Sequence, residues 1–254
     1  MILTRQFVFI HPPKTGGTFV TNVLKRVVKR EKGGSFPARV LRRLREPVLA
    51  DVLKHGTIRD IPEKWRDRPV LSVMRNPYDR LVSMYHFEWW KTYPPRWIDF
   101  RELKRLHPAW PEIPFEEFTE GLLHFRKMKA PGLPPDQQPG PLTEAFVRFF
   151  FKDPEAVFPR IDDAYIASRG WEKDMVPVRF LRTESLNADL HAALRGFGHS
   201  EEELAFILCL GRILPAKSKR GRGVLWEDFY TPELKATIRR RERLLFAMFP
   251  EYDV

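Results

Sequence analysis

The chain has 254 residues, 43% hydrophobic and 30% charged, which is the composition of a globular protein with a substantial core rather than of a disordered segment. Its 44 lysines and arginines outnumber 33 acidic residues, a net charge of +11 that suits an anionic ligand. The single cysteine, Cys209, excludes an internal disulfide framework and a cysteine zinc cluster, and its apolar run "LAFILCL" predicts a buried, reduced thiol. The first residues carry no signal-peptide pattern, and no apolar run approaches the length of a membrane span, so a cytoplasmic protein is expected.

In chain order, "FVFI" (Phe7–Ile10) reads as a short buried strand. The loop "PKTGGT" follows. Phe19, Val20, Val23, Leu24, Val27 and Val28 then recur at helical spacing, with Lys25, Arg26, Lys29 and Arg30 on the opposite face. Strand, glycine turn, helix is the opening unit of an α/β sheet. The segment "KHGTIRDIPEKW" is rich in turn residues, and "PVLSVM" (Pro69–Met74) is a second buried strand. It ends at "RNPYDRLVS", where Asn76 is a good N-cap, Pro77 fits the first helical position and Asp79 the third. Residues 84–142, rich in proline and aromatics, read as an acceptor-side insertion or cap on one domain spanning 1–254. "VRFLR" (Val178–Arg182) is a third strand. "SLNADLHAALRGFG" is an amphipathic helix, "PAKSKRGRG" a basic loop, and "TPELKATIRRRERLLFAMF" one final helix capped by Thr231.

Two stretches carry chemistry. A turn from a strand into a helix N-terminus presents backbone N–H groups and a positive dipole end. In Pro13–Thr18, Gly16 and Gly17 let the backbone close on an anion; Lys14 adds a point charge, and Thr15 and Thr18 add hydroxyls. Phosphate and sulfate both fit. The Walker A pattern does not, because here the lysine precedes the glycines. Arg75 sits where a buried strand ends, the place where α/β ligands bind, and its planar fork matches phosphate. Read singly, each stretch also has a plain structural meaning: a glycine turn with a surface lysine, and a capped helix with an Arg–Asp pair.

Together, "PKTGGT" after a first strand and "RNPYDRLVSMY" after a later one resemble the sulfotransferases that use 3′-phosphoadenosine 5′-phosphosulfate (PAPS). The nearest likeness is to the carbohydrate-type branch that includes heparan uronosyl and small bacterial enzymes. The resemblance implies a P-loop-NTPase-like parallel sheet flanked by helices, PAPS as co-substrate and no metal. It implies that Pro13, Lys14, Thr15, Gly16, Gly17 and Thr18 cradle the 5′-phosphosulfate and that Arg75 and Ser83 hold the 3′-phosphate. The loop containing Lys217, Ser218, Lys219 and Arg220 is similar to the one that closes over the nucleotide. "KHGT" is similar to a histidine motif whose histidine is the proposed base, here His55, with Glu88 and Glu184 as alternatives. The implied reaction moves a sulfuryl group in line to a hydroxyl acceptor, a glycan or glycolipid, with Lys14 and His55 catalytic. Basic residues in 35–45 and 84–142 would attract an acidic glycan. A nucleotide-dependent kinase and a non-enzymatic polyanion-binding module are the alternatives, although no nucleic-acid-binding signature is present. Oligomeric state is not legible.

Overall fold

The computed structural model describes residues 1–31, 50–51, 53–92, 98–211 and 223–254. Segment 35–45 and the late basic loop with Lys217, Ser218, Lys219 and Arg220 lie outside the described residues. The chain divides into two compact units, Met1–Arg75 with Pro177–Pro215 and Asn76–Val176 with Ala216–Val254. Residues 84–142 are part of the second unit.

The first unit is built on a five-stranded sheet, in the order β3-β1-β2-β4-β5. Its strands are β1 (Ile2–Leu3), β2 (Val8–Phe9), β3 (Ala50–Asp51), β4 (Val70–Met74) and β5 (Val178–Arg182). β2, β4 and β5 run parallel, with Phe9 opposite Leu71 and Leu71 opposite Arg179. These are the three strands expected from the apolar runs. The sheet extends beyond them: β1 pairs antiparallel with both β2 and β3. Thr4 makes the hairpin from β1 to β2 possible, since its hydroxyl donates to the Phe7 carbonyl at 2.7 Å and accepts from the Phe7 N–H at 2.9 Å.

Helix α1 (Gly17–Glu31) buries the face its spacing predicts: Phe19, Val20, Val23, Leu24 and Val27 are all at most 5% exposed. They pack with Phe7, Phe9, Leu71 and Leu181 of the sheet and with Leu190 and Leu194 of a later helix, Leu186–Gly196. Each such side chain contributes roughly 1.5–3 kcal/mol of burial, so the loop between β2 and α1 is anchored at both ends. Cys209 departs from expectation and is exposed. The run around it is not one buried segment. Leu204 and Ile207, three residues apart, point inward; the chain then turns out, leaving Leu208 52% exposed.

In the second unit, helix α2 (Pro77–Tyr85) starts as read: the Asn76 side chain accepts from the Tyr78 N–H at 2.9 Å, and Pro77 takes the first position. Helices α3 (Phe100–Leu106), α4 (Phe115–His124) and α5 (Pro141–Phe150) follow. The expected single final helix is two, Pro232–Arg241 and Arg243–Met248. The break falls on Glu242, which is fully buried. Its carboxylate accepts from the Leu142 N–H at 3.0 Å, the Thr143 N–H at 2.6 Å and the Thr143 hydroxyl at 2.7 Å. It thus caps the N-terminus of α5 from across the unit, and the helix interrupts itself to deliver that carboxylate. Among the described residues no helix is long and apolar enough to cross a membrane.

Candidate active site

The first unit gathers the loop Pro13–Thr18, His11, His55, Arg75 and Thr183 around the carboxyl ends of β2, β4 and β5. Lys14 has a backbone φ of +66°, the left-handed region that a lysine seldom occupies. A distortion of that kind persists only where surrounding bonds hold it. Arg75 supplies one: its Nη1 donates to the Lys14 carbonyl at 3.1 Å. Thr183, the first residue beyond β5, supplies another. Its N–H donates to the Met74 carbonyl at 2.9 Å, and its hydroxyl lies 3.0 Å from that carbonyl and 3.1 Å from the carbonyl of Thr15. One threonine therefore ties the ends of β4 and β5 to the loop.

Each glycine answers a separate demand. Gly16 has φ +87°, and a Cβ there would stand 2.9 Å from Leu186 Cδ2. Gly17 lies against the His11 imidazole, which a Cβ would overlap at 1.9 Å. The Thr15 hydroxyl donates to the Pro12 carbonyl at 2.9 Å, so its proton is used within the loop. Thr18 is exposed in the first turn of α1, and that turn holds no acidic residue to offset the helix dipole.

The charges follow from this packing. Burial lowers the Lys14 pKa from 10.5 to about 8, and the Arg75 guanidinium adds to the effect. Arg75 itself is 9% exposed. Two cations thus lie close together in a partly desolvated corner, a setting that suits an anionic ligand.

His55 is exposed at the surface of this unit. Its Nδ1 lies 2.8 Å from the His11 carbonyl, and the two rings meet edge-on with centroids 5.1 Å apart. A carbonyl can only accept, so Nδ1 carries the proton and Nε2 carries the lone pair. Desolvation by its neighbours, helped by Lys54, lowers the His55 pKa below 6.5 despite the opposing effect of the carbonyl bond. Near neutral pH the imidazole is therefore uncharged and able to take a proton.

Among the other histidines, His107 faces Glu117 at 3.1 Å, His124 faces Glu102 at 3.0 Å and His191 faces Glu201 at 3.0 Å. These are local ion-pair or hydrogen-bond arrangements. Of the alternative bases, Glu184 is exposed just after Thr183, and Glu88 pairs with Lys91 at 3.4 Å in the second unit. Ser83 lies half-buried on α2, also in the second unit. Sequence reasoning did not pick out Thr183 or the His11 carbonyl. The position of Thr183, directly after a strand that ends at the ligand-binding edge, was the available signal.

No protein-family model matches the chain, and no curated protein matches it. Among solved structures, it is similar to mouse sulfotransferase SULT7A1 complexed with PAP, at 15% identity and a TM-score of 0.46, over 95% of this chain and 83% of that one. No cluster of three or more metal-ligating side chains occurs among the described residues.

Proposed function

We propose that this chain is a PAPS-dependent sulfotransferase that transfers a sulfuryl group to a hydroxyl of a carbohydrate. The observation that carries the reading is the pairing of Lys14 and Arg75 across the glycine loop, at the start of a helix without first-turn acids. Pro13, Lys14, Thr15, Gly16, Gly17 and Thr18 would hold the 5′-phosphosulfate. The motif resemblance assigns Arg75 and Ser83 to the 3′-phosphate, and Lys217, Ser218, Lys219 and Arg220 to the nucleotide.

PAPS would supply the sulfuryl group. The acceptor oxygen forms a bond to sulfur as the bond from sulfur to the bridging oxygen breaks. The Lys14 ammonium is suited to the negative charge that collects on the leaving phosphate. The acceptor's proton passes to Nε2 of His55, whose tautomer the His11 carbonyl sets. The chain's own part is positioning and charge, since sulfuryl transfer needs no covalent enzyme intermediate.

Calorimetry with adenosine 3′,5′-bisphosphate and with ATP tests the donor. The bisphosphate should bind more tightly, and transfer of label from PAPS to a panel of carbohydrate, glycolipid and small alcohol acceptors should follow. Preferential ATP binding with magnesium-dependent turnover would overturn the reading in favour of a kinase.

A further inference from the structure

The His11 side chain has no part in the chemistry proposed above, yet it is tightly held. It follows β2 directly, and the chain before it is fixed to β4: the Ile10 N–H donates to the Leu71 carbonyl at 2.9 Å, and the Ser72 hydroxyl donates to the Ile10 carbonyl at 3.0 Å. His11 is 8% exposed. Its ring edge lies against Gly17, the first residue of α1, so closely that a Cβ there would stand 1.9 Å from Cδ2 and 2.3 Å from Nε2. The Phe9 ring stacks with it at 6.2 Å, and the His55 ring meets it edge-on at 5.1 Å.

We propose that the His11 imidazole is a positioning residue, a rigid spacer that sets where the His55 ring stands relative to the glycine loop and the start of α1. His55 and Lys54 lie exposed on a turn that the Gly56 N–H closes on the Leu53 carbonyl at 3.3 Å. The bond between His55 Nδ1 and the His11 carbonyl fixes one ring atom but lets the ring pivot about it. A second contact on the ring edge removes that pivot, which a base that must present Nε2 in one direction requires. Because the same His11 ring touches the residue that opens α1, one side chain spans from the loop to the base. Gly17 then serves a second purpose besides starting the helix, since it leaves room for the spacer.

The catalytic consequence rests on the sulfotransferase reading, whereas the positioning does not, and the two are tested apart. Positioning is read by NMR titration of the His55 imidazole in the free full chain. The parent midpoint should lie below 6.5, because neighbours desolvate the ring. His11→Ala removes the ring but keeps the carbonyl, so water reaches His55 and the midpoint should rise toward 6.5. Lys54 and the Met1 amino group, the charges that act on His55, are untouched in every variant. His11→Phe keeps a ring and should keep the parent midpoint. Gly17→Ala retains His11 but displaces its ring, and should raise the midpoint as His11→Ala does; the double variant should add no further shift. In turnover of PAPS, His11→Ala should lower kcat roughly tenfold, a share of what a well-placed base contributes, with KM for PAPS near the parent value, and His11→Phe should restore kcat.

The proposal is overturned if His11→Ala or Gly17→Ala titrates as the parent does, or if His11→Phe titrates as His11→Ala does. A parent that titrates as expected yet does not turn over PAPS overturns the sulfotransferase reading, and the midpoints of the variants still decide the role of His11.

Discussion

Two partly buried clusters of basic residues in this protein solve the same problem in different ways. In the second unit, Arg126 and Arg241 are desolvated within a network that contains its own acids. Burial and Arg126 lower the Arg241 pKa from 12.5 to about 10, while Glu242 pulls it back up; Glu144 and Glu242 likewise oppose the depression of Arg126. Arg241 also donates through Nε to the Gln138 carbonyl. In the first unit, the charge that most affects Lys14 is another cation, Arg75, and it acts in the same direction as burial. One cluster is balanced by the chain and holds helices together. The other, on the proposed reading, serves an incoming anion, and its loop holds a left-handed lysine and two glycines at which a Cβ would crowd Leu186 or His11. Cations whose desolvation is opposed by neighbouring acids, as Glu144 and Glu242 oppose that of Arg126, are explained by the fold, whereas a shift without such opposition marks a functional candidate.

Substitutions should separate the two clusters. The largest effect belongs to Lys14→Ala: transfer should fall roughly 10³-fold, the scale of losing a group that meets charge developed in the transition state, with Tm little changed. Full activity in that variant would remove Lys14 from the chemistry. His55→Ala should lower kcat by roughly 10²-fold while nucleotide affinity stays near the parent value. If His55 is the base, the acid limb of kcat/KM in the parent protein should have its midpoint below pH 6.5, because its lowered pKa keeps it unprotonated to lower pH. A midpoint above 6.5 would assign that limb to another group.

Glu242→Ala is the counterpart in the balanced cluster. It leaves α5 uncapped and removes one of the acids that offset the burial of Arg126 and Arg241. Denaturant titration should show a loss of about 3–5 kcal/mol, the usual cost of breaking a buried charge network, with kcat per folded molecule unchanged. A variant as stable as the parent would mean that the carboxylate holds nothing together. Thr183→Val is the mildest. It keeps the shape, removes the hydroxyl bonds to Met74 and Thr15, and should cost about 1 kcal/mol of stability. It should raise KM for PAPS more than it lowers kcat, and Thr183→Ser should restore KM. Equal KM values across the three proteins would exclude a role for Thr183 in positioning the loop.

The features legible in the sequence are those set by neighbours along the chain. The face of α1, the Asn76 cap and the three parallel strands each depend on a few consecutive residues. The Pro13–Thr18 loop was equally legible as a glycine turn between a strand and a helix, since that is a local pattern. Long-range events were not. β1 and β3 are two-residue strands whose pairing depends on partners far along the chain. Glu242 breaks its helix to cap one about a hundred residues earlier. Thr183 reaches the loop only because β5 lies beside β4. Cys209 sits in an apolar run that predicts burial, and only the turn after Ile207 puts it outside.

The central claim is the proposal that the corner of Lys14 and Arg75 binds an anion, and proton linkage tests it directly. With a pKa of about 8 in the free protein, Lys14 is largely neutral at pH 9.5; a bound phosphate group would raise that pKa, so binding there must take up a proton. Calorimetry of adenosine 3′,5′-bisphosphate at pH 7 and pH 9.5, in buffers of differing ionisation enthalpy, should show affinity falling as pH rises through about 8. Close to one proton should be taken up at the higher pH, and this uptake should be lost in Lys14→Ala. An affinity that is flat across this range, with no proton uptake, would contradict the account.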